Sequence, residues 1–141
     1  LYYTIITEVL KMGTLTHALP SREKDRIPAK DVRAFILKLI KATGVPERLL
    51  AQAVAMAESQ LNRMTSKKTG SFKEQTVHPL KRIAVLVEEA QKVLTPKGVK
   101  EWINTPNPYL NDVPPILCLR SDKELEKVLS LLASIRYGFP A

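Results

Sequence analysis

The polar side chains of this 141-residue chain are spaced for binding rather than for bond-making. His17 and His78 lie far apart, and each reads as a surface or turn residue rather than a metal ligand. Cys118 sits inside the apolar run Ile116-Leu117-Cys118-Leu119, where a buried, inert thiol is expected. Glu88 and Glu89 read as a solvated helix face rather than a catalytic pair. The sequence has no glycine-rich phosphate loop, no paired-histidine helix motif, and no serine or cysteine beside an obvious base. An enzyme is therefore not expected, and no cofactor or metal is implied.

Two other groupings suit recognition. Ser59, Gln60, Asn62 and Arg63 place a hydroxyl, two amides and a guanidinium on one short segment, the groups that read base edges or phosphates. Lys67 and Lys68 follow, with Lys73 beyond, as phosphate contacts. Glu58 opposes close approach to DNA but suits the positive start of a helix. The second grouping is apolar. Trp102, Asn107 and Tyr109 surround a turn that Pro106 and Pro108 impose, because each proline biases the residue before it away from the helical region. Trp102 is expected in the core, anchoring that turn. The tail Tyr137-Gly138-Phe139-Pro140-Ala141 contains a helix-stopping glycine and is shaped to enter a partner's cleft.

The elements that position these residues read as all-α. A weak pattern over residues 1–12 permits a helix or a strand. Ser21 to Lys30 reads as a charged, mobile loop. Asp31 can cap a helix whose buried stripe is Phe35, Leu37, Leu39 and Ile40, and Gly44 ends it. Pro46 opens a second helix bearing Leu49, Leu50, Ala53 and Val54, a break follows at Ala55–Ala57, and a third helix spans Glu58 to Met64. Small Ala53 at the crossing and apolar Met56 and Leu61 make the helix-turn-helix pattern, although the turn carries Ala55 where glycine is common. Thr65 to Pro79 reads as a basic connection, long for a compact domain. Helical spacing resumes over Leu80–Leu94, Thr95-Pro96 starts a short helix ending near Trp102, and the proline pair Pro114-Pro115 opens another. Ser121 with Glu124 makes a capping box for the last helix, lined by Leu125, Val128, Leu129, Leu132 and Ile135, with Gly138 to stop it.

Charge divides the chain. Residues 1–97 carry 17 Lys/Arg against 9 Asp/Glu, and residues 98–141 carry 5 against 5, so the whole formal surplus of +8 lies in the first part. A basic half suits a phosphate backbone and a neutral half does not, which suggests two tasks. One cysteine excludes an internal disulfide and fits a reducing cytoplasm. No apolar run reaches membrane-spanning length, and the N-terminal stretch lacks the features of a signal peptide. The chain begins at Leu1 rather than Met, so native sequence ahead of it is an open expectation.

The layout WINTPNPYL…PPILCL…IRYGFPA resembles the toxin-binding domain of the Xre/MbcA/ParS-type antitoxins. The resemblance extends over roughly residues 34–141 and is most specific from Trp102 onward, and the helix-turn-helix segment resembles that of the same family in order and spacing. It implies an antitoxin that neutralises a RES-domain, NAD-consuming toxin by covering its active site, with autoregulation through operator DNA. Toxin contacts would fall on Tyr137, Gly138, Phe139, Pro140, Ala141, Asn107 and Tyr109. DNA contacts would fall on Ser59, Gln60, Asn62, Arg63, Lys67 and Lys68. The expected organisation is a partly flexible segment 1–30, a helix-turn-helix region 31–79 and a helical toxin-binding domain 80–141. A homodimer or a larger hetero-oligomer with the toxin is expected in the cytoplasm, with no membrane partner. The alternative is a helix-turn-helix transcriptional regulator whose C-terminal helices only dimerise.

Overall fold

The computed structural model describes residues 25–136. Strand β1 (Arg26–Pro28) pairs antiparallel with β2 (Ser71–Lys73), setting Ile27 opposite Phe72. Both side chains turn into the core. On the outside, Arg26 Nε donates to Ser71 Oγ at 2.7 Å and its Nη2 to the Ser71 carbonyl at 3.0 Å. The pairing continues at both ends, where the Ala29 N–H donates to the Gly70 carbonyl at 2.9 Å and the Glu74 N–H to the Asp25 carbonyl at 2.7 Å.

This two-stranded sheet ties off the ends of a three-helix segment: α1 (Ala29–Thr43), α2 (Glu47–Ala53) and α3 (Glu58–Ser66). Then come α4 (Glu74–Gln91), α5 (Pro96–Ile103) and α6 (Asp122–Arg136), with single 3-10 turns at Pro108–Leu110 and Pro115–Leu117 between the last two. The all-α reading holds, and this small two-stranded sheet is the one addition to it among the described residues.

Local chemistry explains several helix ends. Gly44 closes α1 at φ +72°, and its N–H donates to the Ile40 carbonyl at 2.9 Å. Thr95 Oγ1 accepts from the Gly98 N–H at 3.1 Å to start α5. Ser121 Oγ accepts from the Glu124 N–H at 3.1 Å, while Glu124 Oε1 reaches back to the Arg120 N–H at 2.9 Å. The capping box is therefore present, shifted by one residue on its return bond. Asn104 Nδ2 donates to the carbonyls of Lys100 and Thr43, pinning the end of α5 to the end of α1.

Four expectations change. Residues 25–30 are not a loop but β1 and the start of α1, so Asp31 lies in the first helical turn without a side-chain cap. The expected connection Thr65–Pro79 is instead the end of α3, the strand β2 and the first turns of α4. Pro79 lies inside α4 and does not break it. A helical proline costs about 3 kcal/mol. Fully buried Leu80, Ile83 and Leu86 each stabilise by about 1.5–3 kcal/mol, and together they outweigh that cost.

Leu37, expected in the buried stripe, is 52% exposed. The buried face of α1 is Val32, Phe35, Ile36 and Leu39, which share the helical period, and Leu37 falls on the far side of the helix. Glu88 and Glu89 are not a solvated face: Glu88 is only 6% exposed, and Glu89 pairs with Lys92. Helix α4 packs against α1, α5 and α6, so its run from Ile83 to Glu88 is covered all round. One cluster of buried side chains extends from Ile27 in β1 to Leu132 in α6, with α4 at its centre.

Candidate functional site

The first candidate surface is built by α2, its turn and α3. Leu50, Ala51, Ala53 and Val54 are buried, and Leu61 and Met64 of α3 pack into the same core, leaving the other side of α3 to solvent. The turn between the helices is a Schellman motif: the Met56 N–H donates to the Ala51 carbonyl at 2.8 Å and the Ala55 N–H to the Gln52 carbonyl at 3.2 Å. Such a motif needs a left-handed residue at its corner, and Ala55 supplies it at φ +56°. The position that common glycine usage marks as permissive is thus left-handed here, with alanine bearing the strain.

Ser59, Asn62 and Arg63 share the outward side of α3 and are exposed, whereas Gln60 is half-buried. Lys67 and Lys68 follow the helix end, both exposed. Strand β2 organises two of these cations. The Arg63 guanidinium lies 5.8 Å from the centre of the Phe72 ring, and Lys67 Nζ lies 5.2 Å from it. Phe72 was absent from the sequence reading of this site. The signal available was an aromatic residue inside a basic tract, but its role depends on the strand pairing that brings it beneath α3.

The second candidate surface is the loop after α5. Asn107 Oδ1 accepts from the Tyr109 N–H at 2.9 Å, and the Asn107 carbonyl accepts from the N–H groups of Leu110 and Asp112, both at 2.9 Å. The Asn107 N–H donates to the Val113 carbonyl at 3.2 Å, closing the loop. Asn111 and Asp112 take left-handed φ values of +57° and +60°. Leu110 points into the core, and Tyr109 stands out of it, 58% exposed. Asn107 and Tyr109, paired in the sequence reading, are thus joined by a hydrogen bond: one shapes the loop and the other is displayed by it. Trp102 is half-buried and packs against the core. The expected contacts Tyr137 to Ala141 lie outside the described residues.

One titratable cluster ties two helices together. Arg82 Nε of α4 donates to Asp122 Oδ1 at 2.8 Å, and His78 Nε2 lies 3.3 Å from the same oxygen. Partial burial pushes the Asp122 carboxyl up, but the hydrogen bonds from Arg82 and His78 and their charge outweigh it and hold it below its ordinary value. Burial, reinforced by Glu124 and opposed by Lys127, raises the Cys118 thiol, so little of it is thiolate. Among the described residues no cluster of His, Cys, Asp and Glu could hold a metal ion, and no helix is long and apolar enough to cross a membrane.

The second surface lies inside a recognised family segment. Residues 90–138 match the model of the antitoxin Xre/MbcA/ParS C-terminal toxin-binding domain, which confirms over that stretch the resemblance read from the sequence. Among solved structures, the chain is similar to one in the crystal structure of the M. tuberculosis MbcT-MbcA toxin-antitoxin complex. The TM-score is 0.58 at 19% identity, over 78% of this chain and 97% of that one, a likeness of fold. No curated protein matches the chain.

Proposed function

We propose that this protein is an antitoxin. Its C-terminal part, residues 80–141, would neutralise a RES-domain, NAD-consuming toxin, and its segment 31–79 would bind operator DNA. The observation that carries the first half is the match of residues 90–138 to a toxin-binding domain, because that segment contains the preformed loop displaying Tyr109. An exposed tyrosine on a loop held by its own hydrogen bonds loses little entropy on docking, which suits it as an anchor. Inhibition would be exclusion: Tyr137, Gly138, Phe139, Pro140 and Ala141 would fill the toxin's pocket while the helical body and the Asn107–Tyr109 loop supply the binding area. No cofactor or chemistry on the antitoxin's side is involved. Dimers would let two copies of α3 reach two half-sites. Support for the DNA half is chemical: α3 exposes Ser59, Asn62 and Arg63 on one side, next to Lys67 and Lys68.

The test is co-expression with the product of the neighbouring gene, followed by co-purification and assay of NAD consumption. Wild type should co-purify and inhibit. Deletion of Phe139-Pro140-Ala141 should still co-purify but inhibit poorly. Full inhibition by the deleted form would remove the tail from the mechanism, and failure of the wild type to co-purify would overturn the antitoxin reading in favour of a DNA-binding regulator.

A further inference from the structure

The side of α1 that the core does not use has a composition of its own. Lys30, Arg33, Ala34, Leu37, Lys38 and Lys41 follow helical spacing along one outward stripe, and all six are exposed. Between α1 and the chain just past α3 lies a groove of about 240 Å³ in which Lys30, Arg33, Ala34 and Leu37 face Lys67 and Lys68. None of these cations forms an ion pair with a carboxylate among the described residues. The stripe spans about 16 Å at 1.5 Å per residue.

We propose that this stripe of α1 is a phosphate-binding surface for the backbone of double-stranded DNA, continuous through Lys67 and Lys68 with the exposed side of α3. It rests on the DNA-binding half of the function proposed above and adds α1 to the footprint. Cations along one line, with no carboxylate partner among the described residues, match a strand that presents a phosphate about every 3.4 Å. A second copy of the chain would face like charge with like. An anionic membrane would need a broad apolar face, and α1 offers only Leu37 and Ala34 because its apolar residues are in the core. Contacts of this kind are blind to sequence, so α1 sets affinity and salt dependence while α3 discriminates.

The test uses the full chain, a labelled duplex of arbitrary sequence and anisotropy titrations across a series of salt concentrations. Lys30→Ala with Arg33→Ala should weaken binding roughly tenfold and make the log–log salt slope shallower by about 1.8, at about 0.9 per phosphate released. Leu37→Lys, which adds a cation to the stripe, should steepen the slope by about 0.9 and tighten binding. Melting curves verify the fold, and Lys30→Gln with Arg33→Gln replaces the alanine pair if that variant is unstable. An unchanged slope in the α1 variants beside a shallower one in Arg63→Ala overturns the α1 surface and leaves DNA binding by α3 standing. A weaker Leu37→Lys also overturns it, since Leu37 would then be an apolar contact. Capture of the wild type by phosphatidylserine vesicles that duplex does not compete away assigns the stripe to membranes. A wild type that binds no duplex overturns this surface together with the DNA-binding half of the proposed function.

Discussion

The turn at Ala55 and the loop at Asn107–Val113 solve one problem with different residues. Both need left-handed backbone. The first puts alanine at φ +56°, while the second puts Asn111 and Asp112 at +57° and +60°. Asparagine and aspartate tolerate that region because their short polar side chains bond locally, and alanine has no such compensation. The strained turn is held by core on both sides, through Val54 and Leu61, whereas the loop is held by Asn107 and by one buried residue, Leu110. Packing can impose a conformation on an unsuitable residue. Where packing is thin, the residue types must suit the conformation themselves.

Trp102, near the end of the helix that precedes the loop, gives the largest expected effect. Trp102→Ala should cost about 2–3 kcal/mol, slightly less than a fully buried aromatic, because the indole is only half-buried. Chemical denaturation measures it, and an unchanged midpoint would place the indole in partner contact instead of core.

Next comes the loop itself. Tyr109→Ala should leave the melting temperature unmoved and weaken toxin binding by about 2 kcal/mol, roughly thirtyfold, as expected of an anchor. Asn107→Ala should lose about 1 kcal/mol of stability with its cap and weaken toxin binding less than Tyr109→Ala does. Calorimetric titration against the toxin separates the two, and equal losses would mean that Asn107 also touches the partner.

The two left-handed sites are compared directly by glycine. Ala55→Gly should stabilise by about 0.5–1 kcal/mol, relief of left-handed strain exceeding the added freedom of the unfolded chain. Asn111→Gly should gain nothing or lose a few tenths. Equal gains at both positions would show that asparagine is strained there too.

The smallest effect concerns pH. Because the Asp122 carboxyl is depressed in the folded state, its contribution is complete above the unfolded value of about 3.9 and is lost as pH falls through the lower folded value. Asp122→Asn should therefore flatten the acid limb of stability below about pH 4 and leave its shape near neutrality unchanged. Identical acid limbs for wild type and variant would remove the Arg82–Asp122–His78 cluster from the account.

What the sequence determined by itself was whatever depends on neighbours within a turn or two of helix. The Thr95 and Ser121 caps, the stop at Gly44, the helix-turn-helix spacing, the Asn107-Pro108-Tyr109 turn and the division of charge were all legible, because the groups that satisfy one another lie three or four residues apart. Tertiary structure decided which sides of those helices meet solvent. Leu37 is outside because the period of α1 was already filled by Val32, Phe35, Ile36 and Leu39, and Glu88 is inside because α4 is surrounded by three helices. The strand pair that seats Phe72 under Arg63 and Lys67 joins residues 45 apart, a pairing that no local pattern encodes. Short strands carry little periodicity of their own. They form here because a closed three-helix segment brings their ends together, and that closure exists only once the core has packed.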